Sequence, residues 1–297
     1  PVFNEENNIK KYFEKFSKII SQIKNYELEF VFTDNNSTDN TIEEIKKYTR
    51  SNFNIKIISL SKNFGRTASQ YAGLENSKAD LYFMIDVDCE DPPELLLEFI
   101  KKHEEQYDIV YGKRNRIKES FFLYLFAKLF YRIANILSDH DFVLDMAEFS
   151  LFPNKVKKEI MRTKTNFPFI RGELASVGFS KIGIDYLRYP RKYGVSKFKF
   201  LDLIYFAIGG ILSTSTFFLR INAISGILIL IINFCYLVLL IFNNFELATK
   251  SLIIILITNI FYVVFCLIFI SIYVARIHKN LLQKPIYVID EDRSFNL

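Results

Sequence analysis

The pattern of hydrophobic positions divides the chain into two parts. Up to about residue 200, short apolar runs alternate with charged, helix-like segments. Three of these runs, 27–34, 55–60 and 79–88, are rich in Phe, Val and Ile. Near-continuous apolarity is typical of strands that are buried in a parallel sheet. Alternation of such strands with helices predicts an α/β domain with an open sheet.

Capping signals indicate where two of the intervening helices begin. Thr41 and Glu44 have the spacing of a capping box. Asp91, Pro92 and Glu94 would supply an N-cap, a first-turn proline and an acidic third residue. Ligands of open α/β sheets bind beyond the carboxyl ends of the strands. Polar clusters occur at these ends of the three predicted strands: 34–37, 61–63 and 86–88.

Two stretches in the second part, 221–242 and 251–275, contain no charged residue. Each exceeds the roughly 20 residues that a helix needs to cross a bilayer core. Basic residues flank the pair on its outer sides, and the positive-inside rule places both ends in the cytoplasm. We therefore predict a transmembrane hairpin over 221–280 and a cytoplasmic tail over 281–297. Two buried core helices are the alternative.

The segment 199–220 is apolar but is interrupted by Asp202, by a glycine pair and by several Ser and Thr residues. We interpret it as an amphipathic helix that lies on the membrane surface. A third span, the alternative, would place one end of the chain on the wrong side of the charge bias. The α/β domain then covers 1–198. Its first strand is expected to be truncated, because the chain starts at Pro1 without an initiator Met.

Composition narrows the function classes only slightly. The chain has 297 residues and a net charge of +5, which suits work near anionic lipid or phosphate without predicting it. Its three Cys and three His residues are scattered, so neither a disulfide framework nor a zinc site is expected. We expect no nucleic-acid partner.

A cluster of carboxylates follows the third apolar run. Asp86 and Asp88 are two positions apart, and on an extended strand their side chains would share a face. A divalent cation would relieve their repulsion, and Mg²⁺ characteristically takes one or two carboxylates together with substrate phosphates. Glu90 could join directly or through water. The pattern predicts a metal–diphosphate site, with a solvated acidic turn as the alternative.

Basic residues precede the membrane segment and could face such a diphosphate. Arg188, Arg191, Lys192 and Lys197 could stabilise charge on a leaving phosphate, or could contact anionic lipid. Spacing alone leaves both readings open. A further basic run, 111–118, is interpreted as a solvated loop.

Five motifs in order carry a family resemblance. They are "PVFNEE" at 1–6, "VFTDNNSTD" at 31–39, "LSKNFGRTAS" at 60–69, "MIDVDCEDPPE" at 84–94 and "YLRYPRKYGVSKF" at 186–198. In order and spacing they resemble family 2 glycosyltransferases. With the hairpin, essentially the whole chain resembles the polyisoprenyl-phosphate glycosyltransferases, which include bactoprenol glucosyltransferases and dolichol-phosphate mannose synthases.

The resemblance implies a GT-A (Rossmann-like) fold and a Mg²⁺ or Mn²⁺ cofactor. It implies inverting transfer of a sugar from a nucleotide sugar to a polyprenyl phosphate at the inner (cytoplasmic) membrane, by a multi-pass homo-oligomer, a tetramer in relatives. UDP-glucose and undecaprenyl phosphate are the first expectation. A GDP-mannose donor is the alternative.

The resemblance also implies roles for particular residues. Those expected at the nucleotide sugar are Pro1, Phe3, Glu5, Asp34, Asn36, Arg66, Asp86 and Ser196. Those expected at the metal are Asp86, Asp88 and Glu90. Those expected to be catalytic are Asp145, Glu148, Arg188, Arg191 and Lys197.

The chain departs from the family pattern at 144–152, "LDMAEFSLF". Relatives often read Asp-x-Gly-Asp-Phe-Arg-Leu there, so Asp145 is kept, Glu148 replaces Asp and Ser150 replaces Arg. Ordinary loop carboxylates are the alternative reading of Asp145 and Glu148. The altered motif also permits a membrane scaffold that has lost turnover. A processive polysaccharide synthase is disfavoured, because it calls for a Gln-x-x-Arg-Trp motif and the chain has no Trp.

Overall fold

A computed structural model describes residues 1–50, 53–115, 146–163, 166, 168–188, 216–241 and 245–296. Strands and helices alternate through the first part of the chain, and two long helices follow. In chain order the elements are α1 (Glu6–Ile20), β1 (Glu29–Asp34), α2 (Thr41–Lys47), β2 (Asn54–Ser59), α3 (Arg66–Glu75), β3 (Leu81–Met84), α4 (Leu96–Glu104), β4 (Ile109–Asn115), β5 (Met146–Pro153), α5 (Asn154–Arg162), α6 (Ile170–Ser176), β6 (Lys181–Leu187), α7 (Phe217–Ile241) and α8 (Phe245–Leu281).

The strands form two sheets among the described residues. β1 and β2 pair in parallel, from Glu29 opposite Asn54 to Asp34 opposite Ser59. The second sheet has the order β3-β5-β4-β6, in which β5 is antiparallel to both neighbours and β4 is parallel to β6. The expectation of an α/β fold is confirmed. The expectation of parallel pairing was wrong for β3, whose described partner β5 runs in the opposite direction.

α1 packs on β1 through a cluster of aromatic side chains. Its apolar residues Ile9, Phe13 and Phe16 recur at the helical spacing and are buried. Phe13 stacks on Tyr48 with ring centroids 4.1 Å apart and also contacts Phe30 of β1 at 5.9 Å. Burial of each such ring contributes about 1.5–3 kcal/mol. This packing fixes the strand whose carboxyl end borders the candidate site.

The third strand ends earlier than predicted. β3 stops at Met84, and the backbone turns at Val87 and Asp88. Cys89 has a positive φ of 57°, and the amide of Glu90 donates a hydrogen bond to Asp88 Oδ1 at 3.1 Å. A residue in this left-handed conformation breaks the extended repeat. The prediction that Asp86 and Asp88 lie on a strand was therefore wrong; they lie in an acidic loop, defined here as residues 86–91.

Neither predicted helix cap forms. α2 has Asn40 at its N-cap, and Thr41 instead uses its hydroxyl to accept a hydrogen bond from the amide of Glu5 at 2.8 Å. After the acidic loop, a short 3₁₀ turn begins at Pro93 with Pro92 before it. The carboxylate of Asp91 is used elsewhere, as described below, because a long-range partner competes for it.

α7 and α8 are the two helices of the described chain that are long and apolar enough to cross a membrane, judged by length and composition. Their apolar stretches are Phe217–Val238 and Leu252–Leu281, and most of their large side chains are exposed. α7 starts four residues before the predicted hairpin boundary of 221, and α8 extends past the predicted end of the second span at 275. Residues 199–215 lie outside the described residues, so the predicted surface helix stays a prediction.

Polar side chains join the two apolar helices. Asn233 Nδ2 donates to Asn259 Oδ1 at 3.2 Å, and the hydroxyls of Ser225 and Tyr262 are 2.9 Å apart. Tyr262 also donates to the carbonyl of Asn222 at 2.7 Å. In an apolar environment such hydrogen bonds stabilise helix pairs by about 0.6–2 kcal/mol each. They support the predicted pairing of the two helices.

The segment after α8 packs back onto the α/β domain. Phe295 and Ile57 form an antiparallel bridge, as do Ile289 and Leu60. Ile289 and Tyr287 pack against a small core cluster around Leu60. Covering an edge strand in this way removes unpaired backbone groups from solvent. The sequence pattern had indicated only a tail.

The carboxyl of Glu173 in α6 makes the stability of the fold depend on pH. Burial raises its pKa from 4.5 to about 7, and its Oε2 accepts no hydrogen bond within the described residues. The folded state thus holds the proton more tightly than the unfolded state. The stabilisation is complete below about pH 4.5 and is lost as the pH rises through about 7.

Glu173→Gln should remove this dependence. Between about pH 5 and 8, the melting temperature of wild type should fall relative to that of the variant. Thermal unfolding in detergent, followed by circular dichroism, measures the difference. Glu159→Gln, at an exposed carboxylate of α5, is the matched control and should follow wild type. Parallel curves for wild type and Glu173→Gln would contradict the prediction.

Candidate active site

One arginine connects two carboxylates that come from different elements. Arg66, the first residue of α3, places Nη2 2.8 Å from Asp86 Oδ2 and 2.8 Å from Glu148 Oε2. Gln70, one turn further along α3, donates to the same Glu148 oxygen at 2.8 Å. Asp86 belongs to the acidic loop and Glu148 to β5. The local fold therefore joins α3, the end of β3 and β5 through side-chain hydrogen bonds.

The Arg66 pair keeps Asp86 ionised. Burial by itself would raise the pKa of the Asp86 carboxyl, but the surrounding cations, of which Arg66 contributes most, together outweigh burial, and the pKa lies below its usual range. Conversely, burial would lower the pKa of Arg66, while Asp86 and Glu148 raise it. Both groups are therefore charged at neutral pH, and because the Arg66 side chain is 40% exposed, solvent screens part of their attraction.

A second group of arginines meets the other end of the acidic loop. Arg188, the residue after β6, forms ion pairs with Glu90 and with Asp91, at 3.6 Å for the latter. Arg114 of β4 places its guanidinium Nη2 3.6 Å from Asp91 Oδ2. Tyr186 of β6 donates its hydroxyl hydrogen to Asp91 and accepts a hydrogen bond from Arg114 Nε at 3.1 Å.

Asp91 is the centre of this second group. It is only 2% exposed, and burial raises its pKa while Arg114, Tyr186 and Arg188 oppose the increase. The sequence had suggested that Asp91 caps a helix and that 111–118 is a solvated loop. The first prediction was wrong, because Tyr186 and Arg114 take up the Asp91 carboxylate. The second was wrong for 111–115, which lie in β4 and include Arg114, whereas 116–118 lie outside the described residues.

Residues near the N-terminus and after β1 also come together. Val2 and Asp34 form a parallel bridge, and the amide of Asn4 donates to Ser37 Oγ at 3.0 Å. Asp34 is fully buried, and both of its carboxylate oxygens accept from the amide of Ser37, at 3.0 and 3.2 Å. Val2 and Asn4 thus hold the N-terminal segment, with the predicted nucleotide residues Phe3 and Glu5, against one turn, defined here as the β1 turn, residues 34–37, which contains the predicted residues Asp34 and Asn36. The N-terminal amine of Pro1 instead interacts with Asp86, Arg66 and Glu148.

The remaining predicted site residues are Asp145, Arg191, Ser196 and Lys197, and they lie outside the described residues. Their roles stay predictions. The residues that sequence reasoning missed are Gln70, Arg114 and Tyr186. Gln70 and Arg66 are four apart on α3, a spacing that places them on one helix face, so this pair could have been found from sequence. No local signal connects Arg114 or Tyr186 with Asp91.

The acidic loop has a donor set that fits a divalent cation. Asp86, Asp88 and Glu90 offer only carboxylate oxygens, which Mg²⁺ and Mn²⁺ accept. Asp88 and Glu90 are 8% and 9% exposed, so their charges need compensation. The described part of the chain contains no group of three or more His, Cys, Asp or Glu side chains gathered as metal ligands. The three-carboxylate metal site therefore stays a prediction.

A cavity of about 690 Å³ opens between β1 and β3. Its lining includes Arg66, Gln70, Asp86 and Glu148 at the site. Small-molecule sites in proteins commonly measure about 300–1,000 Å³. The cavity falls in this range, but it extends between the two sheets along β1 and β3, and Asp34 and Asn36 of the β1 turn do not line it.

The chain thus combines two features. It has an α/β domain with ion-paired carboxylates at the strand ends, and two apolar helices follow this domain. The chain belongs to glycosyl transferase family 2: the family profile "Glycosyl transferase family 2" matches residues 1–174. It is therefore a glycosyltransferase, and its α/β domain is of the GT-A type that this family implied.

Full-length relatives agree with this assignment. The chain is 33% identical over 298 residues to the glycosyltransferase YkcC of Bacillus subtilis (strain 168), covering 98% of this chain and 92% of that protein. It is 30% identical over 305 residues to the SfII prophage-derived bactoprenol glucosyl transferase of Shigella flexneri, covering 100% of this chain and 97% of that protein.

The crystal structure of S. aureus TarS 1–349 in complex with UDP-GlcNAc aligns with a TM-score of 0.47 and 14% identity, over 72% of this chain and 64% of that one.

The Tyr186 hydroxyl provides a test of the second arginine group. Tyr186→Phe leaves the buried Asp91 without one donor and Arg114 Nε without its acceptor. The unfolding free energy should fall by about 1–3 kcal/mol. Glycosyltransfer should also slow several-fold, because Arg188 shares Asp91 with Tyr186.

Thermal unfolding and steady-state glycosyltransfer on the same preparations measure both effects. Tyr26→Phe removes a hydroxyl that makes an exposed contact of 3.4 Å with Glu104, and it is the matched control. Identical stability and turnover for the two variants would remove Tyr186 from the group that holds Arg188.

Proposed function

We propose that this glycosyltransferase transfers a sugar from a nucleotide sugar to a polyprenyl phosphate at the membrane. The observation that carries the proposal is the acidic loop. Its carboxylates meet Arg66 and Arg188 beside a cavity, in a chain that continues into two apolar helices. The bactoprenol glucosyl transferases, which align over the full chain, support undecaprenyl phosphate as acceptor and UDP-glucose as first donor. GDP-mannose is the alternative donor.

Residues Asp86, Asp88 and Glu90 would hold a Mg²⁺ or Mn²⁺ ion. When bound, the ion would neutralise charge on the leaving diphosphate. Arg66 and Arg188 already lie against two of these carboxylates and would orient them. Arg188, with Arg191 and Lys197, would supply positive charge to the two phosphate groups that meet during transfer, and the neutral hydroxyl of Ser196 would face one of them.

The acceptor needs little help from a general base. A phosphate monoester has a second pKa of about 6 and is therefore largely dianionic at neutral pH. Proton removal is then less important than the placement of two anions in line. Glu148, which accepts hydrogen bonds from Arg66 and Gln70, is suited to hold Arg66 in place. Asp145 stays the other candidate carboxylate at this position.

The membrane helices would keep the site at the depth of the lipid phosphate. We propose that α7 and α8 form a hairpin in the inner membrane, with the α/β domain and both termini in the cytoplasm. The docking of residues 286–296 on the α/β domain supports this arrangement, because it requires the end of α8 and the domain to share a side. We also propose a homo-oligomer.

Asp88→Asn tests the enzymatic proposal. It should reduce transfer by about a hundredfold or more, because a ligand for the leaving diphosphate's cation is weakened by roughly 3 kcal/mol. The assay follows radiolabelled UDP-glucose and GDP-mannose with undecaprenyl phosphate in proteoliposomes, with Mg²⁺, Mn²⁺ or EDTA. Asp185→Asn, at an exposed carboxylate of β6, is the matched control and should be active.

Three outcomes would count against the proposal. Near-normal turnover of Asp88→Asn at saturating Mg²⁺ would remove the metal role. Full activity in EDTA would do the same. A wild-type protein that transfers no sugar from either donor to undecaprenyl phosphate would favour a membrane scaffold without turnover.

Reporter fusions test the proposed topology. A green fluorescent protein fused after Leu297 should fluoresce, and alkaline phosphatase at the same position should be inactive. Alkaline phosphatase inserted within 242–244, between α7 and α8 in the sequence, should be active. It serves as the control for a position on the far side of the membrane. Active phosphatase at the C-terminus would refute a two-span hairpin, because the tail could not then reach β2.

A further inference from the structure

The C-terminal segment 286–296, named here the C-terminal strap, runs along the outer edge of β2. Its backbone exchanges hydrogen bonds with Ile57 through Phe295, at 2.8 and 2.9 Å. The amide of Asp290 donates to the carbonyl of Ser59 at 2.8 Å, and the amide of Ser61 donates to the carbonyl of Val288 at 2.9 Å. The strap is thus held at several points along the strand.

Side chains hold one residue of the strap in place. Ser59 Oγ donates to the carbonyl of Arg293 at 3.0 Å. The next residue, Ser294, donates to the carbonyl of Asp290 at 2.7 Å and accepts from the amide of Ser59 at 3.0 Å. These hydrogen bonds, at the carbonyl of Arg293 and at the neighbouring Ser294, hold the backbone of Arg293 independently of the contacts of its side chain.

The guanidinium of Arg293 reaches from the strap to the β1 turn. Its Nη2 donates to the carbonyl of Ser37 at 3.0 Å and lies 3.7 Å from Asp34 Oδ2. Its Nη1 donates to Asn36 Oδ1. A single side chain, 256 to 259 positions away in sequence from Ser37 to Asp34, thus contacts three of the four residues of the turn.

The β1 turn depends on a positive charge at this place. Asp34 is fully buried, and burial raises its pKa while the Ser37 amide and Arg293 act in the opposite direction. Asn36 adopts a positive φ of 64°, a conformation that is uncommon outside glycine. A planar fork with fixed donors is suited to hold an amide, a carbonyl and a carboxylate together.

We propose that Arg293 is a positioning residue for the sugar-nucleotide donor: it fixes the β1 turn, and donor binding therefore requires a docked strap. The identity of the donor rests on the proposed function. Because only residues 282–285 separate α8 from the strap, the same contact links the end of a membrane helix to the nucleotide side of the site.

Steady-state kinetics with full-length protein test this inference. Arg293→Ala should raise KM for the sugar nucleotide about tenfold and change kcat less than twofold, because the turn contributes binding that is equal in ground and transition states. Arg293→Lys should recover part of the loss, since a point charge replaces a fork. Asp292→Ala, at the exposed neighbouring carboxylate, is the control and should keep the wild-type KM.

Hydrogen exchange separates positioning from general destabilisation. In Arg293→Ala the Ser37 amide should exchange faster, while the Ile57 amide, which bonds to Phe295, should keep its protection. An unchanged KM, a loss confined to kcat, or equal effects of Asp292→Ala would overturn the inference while leaving the proposed function intact. If wild type binds no sugar nucleotide, the proposed function fails. The donor part of the inference then fails with it, and the exchange of Ser37 tests the remaining part, that Arg293 fixes the β1 turn; unchanged protection in Arg293→Ala overturns that part as well.

Discussion

The burial of the acidic loop is the constraint on which the site depends. Asp88, Glu90 and Asp91 are 8%, 9% and 2% exposed, although ionised carboxylates are unfavourable in such surroundings unless they are paired. Three arginines provide the compensation, and each comes from a different place: Arg66 from α3, Arg114 from β4 and Arg188 from the end of β6. The charges of the loop are therefore balanced by three elements that meet around it.

The same compensation suits the proposed chemistry. A loop that is already balanced by arginines can exchange partners with a cation and phosphates without creating uncompensated charge. Glu148 belongs to the same charge network, since both Glu148 and Asp86 form ion pairs with Arg66. This pairing bears on the two positions at which the chain departs from the family pattern, where Glu148 replaces Asp and Ser150 replaces Arg. A carboxylate is still present there, and Arg66 supplies its positive partner from α3.

The two apolar helices are linked to this site by packing as well as by chain connection. α7 and α8 expose apolar side chains and join each other through asparagine, serine and tyrosine side chains. The chain then returns from α8 to β2, covers that edge strand and places Arg293 on the β1 turn. Asn166 also receives contacts from the last turn of α8, where its amide donates to Asn280 Oδ1 at 3.0 Å. The position of the helix pair is therefore tied to the α/β domain at two places.

The local pattern of the sequence determined several structural features of this protein. The alternation of short apolar runs with helices predicted the α/β domain, the two uncharged stretches predicted α7 and α8, and the spacing of carboxylates located the acidic loop. These features follow from composition and periodicity within a few residues, which is why the sequence carries them. Only the tertiary structure decided the antiparallel partner of β3, the pairing of Asp91 with Tyr186 across 95 positions and the contact of Arg293 with Asn36 across 257. Hydrogen bonds and ion pairs of this range leave no local periodicity. They form when folding brings a buried charge and its partners together.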